Sequence, residues 1–136
     1  MVKSTKEKKI EKEKVLAQIS GNRFCSPCGR AKYSIDGRII HVRFCSTDKQ
    51  GSSHYKFNIN PNTLVADYEL WICGSSTAYY LIPITIIKTI YHDPEAYIDN
   101  YHPEIRVVSV RTDTDRVTYA SGGKSIDLTS HLCGII

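Results

Sequence analysis

Residues 29–47, GRAKYSIDGRIIHVRFCST, constrain the fold more than any other stretch. Two strand-like runs flank Asp36-Gly37, a pair that favours a tight hairpin because both central turn positions want a positive φ. In the second run Ile40, Val42 and Phe44 point one way, and Ile39, His41, Arg43 and Cys45 the other. A histidine and an arginine two residues apart therefore project from one side of a strand. That side either lines a site or is a solvated sheet face.

Around the hairpin the chain reads as α+β, one sheet with helices packed on it. Residues 4–20 are rich in Lys and Glu, with Ile10, Val15, Leu16 and Ile19 on a thin apolar stripe. This predicts a helix that stops at Gly21-Asn22 and whose first turns fray or project. FCSPCG (24–29) reads as a tight loop, and a polar turn over 48–53 precedes a third strand over 54–59. Residues 60–63 read as a turn that starts a short helix over 64–67. YELWIC (68–73) and 78–82 read as strands, and Pro83 as the first residue of a helix, ITIIKTIYH. A loop over 93–104 leads to a second hairpin, 105–111 with 116–120, and 125–132 reads as a closing helix. The expected division is a basic N-terminal helix, 1–22, leading into a single compact domain, 23–136.

Charge narrows the partners. Residues 1–32 carry nine Lys or Arg against Glu7, Glu11 and Glu13, whereas the remainder carries nine against eleven acids. A basic N-terminal third on a near-neutral body points to a polyanion. The longest apolar-rich run, 81–90, is interrupted by Pro83, Thr85, Lys88 and Thr89. It falls short of the roughly 20 residues a membrane span needs, so no membrane partner is expected. The charged N-terminus has no apolar signal-peptide core, which makes an intracellular, cytoplasmic or nucleoid-associated location the expectation.

Five cysteines form an odd set without secretory context, which disfavours disulfides. Cys25 and Cys28 make a CxxC that can supply half of a tetrahedral zinc site, although no second half stands as a motif. A redox role fits poorly, because such a CxxC follows a strand and opens a helix. No GxSxG is present, and Ser121-Gly-Gly-Lys-Ser lacks the spacing of a phosphate loop.

The run from the hairpin through HYKFNINPNTLVADYELWIC to YYLIP resembles the PD-(D/E)xK nuclease superfamily. These restriction-endonuclease-like proteins include the small group I intron-associated endonucleases. They carry an A-D-x-x-x-x-G-x-x-I-x-V-K hairpin, then W/Y-x-F-x-I, A-D-Y-F-V-x-V-C and Y-Y-x-I-P strands, and then a helix. The likeness covers about residues 29–90 and implies a mixed central sheet flanked by helices. Carried over by position, the family's two acids fall on Lys32 and His41 and its lysine on Arg43. Two carboxylates and a lysine are net negative, whereas Lys32, neutral His41 and Arg43 are net positive. A positive pocket repels Mg²⁺, which is held by carboxylates, water and substrate phosphates. Candidates for a migrated ligand are Asp36, which already has a turn role, and Glu11 or Glu13 on the first helix.

The resulting expectation is a DNA-binding protein of restriction-endonuclease-like fold whose metal-dependent cleavage site is degenerate or lost. Lys6, Lys9, Lys12, Arg23 and Arg43 are its expected contacts to double-stranded DNA or another nucleic acid. The rivals are an active divergent Mg²⁺ endonuclease, acting as a homodimer, and a non-catalytic protein-interaction scaffold.

Overall fold

The computed structural model describes residues 4–21, 23–45 and 53–136. The expected turn at 48–53 and the helix stop at Asn22 therefore lie largely outside the described residues. The protein is α+β, and its described residues form two α-helices and nine strands in two sheets.

Helix α1 (Thr5–Ser20) opens on a capping box in which the Ser4 hydroxyl accepts from the Glu7 amide and the Glu7 carboxylate from the Ser4 amide. Only its second half is buried, through Val15, Leu16 and Ile19, and Ile10 is exposed rather than part of the stripe. The Glu11 carboxylate accepts the Ser76 amide at 2.7 Å, so the middle of the helix is tied to the body.

Strand β1 (Cys25–Gly29) replaces the loop expected for FCSPCG. It pairs antiparallel with β2 (Lys32–Ile35), with an irregularity between Pro27 and Gly29. Pro27 is tolerated because β1 is the sheet's edge, where a missing amide proton breaks no ladder. The Asp36-Gly37 turn, with φ of 51° and 75°, leads into β3 (Arg38–Cys45) as expected.

The chain then leaves this sheet. Strand β4 (His54–Ile59) pairs with β7 (Arg106–Arg111), and a 3₁₀ turn at Pro61–Thr63 returns the chain to β5 (Tyr68–Cys73). That 3₁₀ turn takes the place of the helix expected over 64–67. Strand β5 lies parallel to β3 and antiparallel to β6 (Tyr79–Pro83), which runs directly into α2 (Ile84–Tyr91) with Pro83 as its cap. Strand β7 forms the expected second hairpin with β8 (Arg116–Ala120).

Gly122 and Gly123, with φ of 75° and 74°, then fold the chain back as β9 (Lys124–Asp127) and a 3₁₀ turn at Thr129–His131. This corrects the closing helix, because Ile126 pairs with Val117 across the ladder. The single expected sheet is also corrected. One sheet is mixed, in the order β1-β2-β3-β5-β6, and the other is β4-β7-β8-β9.

The layers follow from alternation. Ile35, Ile40, Val42, Leu70, Ile72 and Leu81 cover one face of the mixed sheet and bury Val15, Leu16 and Ile19 of α1. On the other face Trp71, Cys73, Tyr80 and Ile82 meet Phe57, Val108, Val110 and Val117 of the second sheet, with Ile87 and Ile90 of α2. Each large apolar side chain buried this way contributes about 1.5–3 kcal/mol. Trp71 stacks on Phe57 at 5.1 Å between ring centres, joining the two sheets. Among the described residues, no helix is long and apolar enough to cross a membrane.

Candidate functional site

The antiparallel register sets Lys32 opposite His41, and the parallel register sets His41 beside Glu69 and Arg43 beside Trp71. Paired residues share a face. Lys32, His41, Arg43 and Glu69 therefore project from one side of the mixed sheet, the side turned toward the second sheet. Burial differs along this side: His41 is only 4% exposed, whereas Lys32 and Arg43 are half-buried.

A cavity of about 500 Å³ opens over these residues. His41 and Arg43 line it from β3, Cys28, Arg30 and Lys32 from the β1–β2 turn, and Asn60, Asn62 and Thr63 from the β4–β5 connection. Ala31 adopts a left-handed conformation, φ 56°, at that turn, and its carbonyl accepts the Val42 amide. The opposite wall is held by the Asn60 side chain, which accepts the Asn62 amide at 2.9 Å. Arg30, Lys32 and Arg43 bring positive charge, and among the described residues no carboxylate lines the cavity.

Glu69 lies behind His41. It is fully buried, accepts Trp71 Nε1 at 3.1 Å through Oε1, and holds that same oxygen 3.7 Å from His41 Nδ1. The longer distance is beyond hydrogen-bond range. Among the described residues, three buried polar atoms have no hydrogen-bond partner: His41 Nδ1, Arg43 Nε and Glu69 Oε2. Such atoms are rare in native folds and cluster where a ligand, water or ion completes a site.

The donor set does not fit Mg²⁺. Arginine and lysine side chains ring the cavity, and the nearby carboxylate, Glu69, is sealed from solvent and outside the lining. The two CxxC thiols have different surroundings. Cys25 packs into the core on the α1 side, whereas Cys28 lines the cavity on the other face. Burial, and secondarily the neighbouring Cys28, push the Cys25 thiol up. Among the described residues, no three His, Cys, Asp or Glu side chains gather closely enough to share a metal ion.

The expected DNA contacts fall on two surfaces. Lys6, Lys9 and Lys12 lie on α1, against one face of the mixed sheet, and Arg43 faces the cavity on the other. Arg23 is held at 2.7 Å by Asp36, with its Nε donating to the Ser20 carbonyl. That contact and the turn geometry account for Asp36, which does not line the cavity. A second cavity of about 450 Å³ lies between the end of α1 and β1–β2, where Glu13 balances Arg23 and Leu16, Ala17 and Tyr33 supply apolar walls.

The sequence pattern alone does not single out Arg30, Asn60, Asn62, Thr63 or Glu69. Only Glu69 carries a signal there, as an acid within the otherwise uncharged, strongly strand-like YELWIC, where acids are almost never buried without a reason. Comparison with family models, with curated proteins and with solved structures gives no match.

Proposed function

We propose that this chain binds nucleic acid through a phosphate group seated in the cavity, on a restriction-endonuclease-like scaffold whose metal-dependent cleavage site is degenerate. One observation carries the reading: Arg30, Lys32, Arg43 and His41 converge on one cavity, and none of its described lining residues is an acid. Concentrated positive charge beside a partly desolvated surface attracts anions more strongly than the same charges spread over a wet face. Arginine adds a planar fork that matches phosphate oxygens, and lysine a point charge. The basic helix α1 supplies long-range attraction from the other layer rather than part of the same contact surface.

Fluorescence anisotropy with a labelled DNA duplex, titrated at several salt concentrations, tests this. Binding weakens steeply with salt as counterions are released. The double variant Lys32→Ala/Arg43→Ala weakens binding by about tenfold or more, and the salt slope falls by about one for each cation–phosphate pair removed. Affinity that ignores salt, or a double variant indistinguishable from the parent, refutes the reading.

A further inference from the structure

Resting on that reading, we infer that the ligand of the cavity is a terminal phosphomonoester, so that the protein binds phosphorylated strand ends in preference to uninterrupted DNA. The shape argues first. His41 and Arg43 form one side, the 28–32 turn and the Asn60–Thr63 connection two others, and this concave site suits a group that enters head first. An internal phosphodiester carries sugars on both sides of phosphorus and offers two free oxygens. A monoester carries one sugar and offers three.

Charge argues the same way. Three fixed cations, with no carboxylate among the described lining residues, outweigh the single charge of a diester. A monoester, at about −1.5 to −2 near neutral pH, matches them better. One of the unpartnered atoms adds to the case. A small closure of the 3.7 Å gap between His41 Nδ1 and Glu69 satisfies the imidazole from within the protein. Arg43 Nε is then the buried donor that still lacks an acceptor. A group with three strong acceptor oxygens and no amide or amine of its own supplies what is missing.

The experiment compares four internally labelled DNA duplexes of one sequence: 5′-phosphate ends, 3′-phosphate ends, hydroxyl ends, and a closed dumbbell with no ends. The phosphate-ended duplexes bind at least tenfold tighter than the hydroxyl-ended one, and the dumbbell binds no better than the latter. Arg43→Gln collapses this ratio toward one. Asn62→Asp, which sets an acid on an exposed part of the wall, lowers it as well, and circular dichroism confirms that both variants fold. Equal, salt-dependent affinity for all four duplexes overturns end recognition and leaves the nucleic-acid reading standing. Binding to none of them removes both, as does capture of a phosphoserine peptide alone.

Discussion

The link between Trp71 and Glu69 makes the sharpest test of how the site is supported from below. Trp71 is fully buried, stacks on Phe57 of the second sheet, and donates its indole proton to Glu69 at 3.1 Å. Trp71→Phe keeps an aromatic ring in the stack but removes that donor. Glu69 Oε2 already lacks a partner, so the variant strips the buried carboxyl of its one close hydrogen bond. An orphaned buried acceptor costs about 1–3 kcal/mol. The smaller ring forfeits about 1 kcal/mol of apolar burial, which brings the total to about 3 kcal/mol.

Adding Glu69→Leu removes the orphan and fills its volume with apolar atoms. The double variant is therefore more stable than Trp71→Phe alone, with a favourable coupling of about 2 kcal/mol. Trp71 is the chain's one tryptophan, so unfolding in urea is followed by far-ultraviolet circular dichroism for all four members of the cycle. Effects that add to within about 0.5 kcal/mol would show that the indole does not hold Glu69, and the support argument fails.

Two further outcomes concern the strand end beyond the site. Gly74 has φ 83°, and a Cβ there meets Tyr55 Oη at 3.0 Å. Gly74→Ala therefore lowers stability by about 1–2 kcal/mol for the left-handed backbone alone, seen as a lower urea midpoint, and an unchanged midpoint contradicts the geometry. Cys73 has its thiol pushed far up, first by burial and then by neighbouring Cys45. The folded state thus keeps the proton while the unfolded chain gives it up above about pH 8.5, so this contribution is complete below that pH and declines as pH rises. The stability gap between the parent and Cys73→Ala narrows by about 2 kcal/mol from about pH 8.5 to 10.5, whereas parallel pH curves contradict the assignment.

What was legible in the chain followed from local rules. The Asp36-Gly37 turn, the two-residue period of β3 and the charged helix each rest on neighbours in sequence, and each stands where it was expected. Alternation also placed His41 and Arg43 on one face. It could not say what covers that face, because the Asn60–Thr63 wall arrives from a strand belonging to the other sheet. The pairing of β4 with β7 spans about fifty residues, and nothing in HYKFNI names its partner. Strand β1 was hidden for a different reason. Pro27 and Gly29 are loop signals that an edge strand tolerates. Glu69 was visible as an acid in an uncharged run, but its use became clear only when the parallel register set it beside His41.

The excursion of the chain between β3 and β5 also bears on when the cavity comes into being during folding. The β2–β3 hairpin can close locally, carrying Lys32, His41 and Arg43 into one row within a few residues of chain. The remaining wall waits for β4 to find β7 and for β5 to dock parallel to β3, both pairings of large sequence separation. Such pairings form only after their loop-closure entropy is met, and they govern the rate in mixed folds. A nascent chain or partly folded intermediate thus carries the charges without the pocket. Under the proposed phosphate binding, selectivity then arrives with the last β-pairing, which couples recognition to completion of the fold.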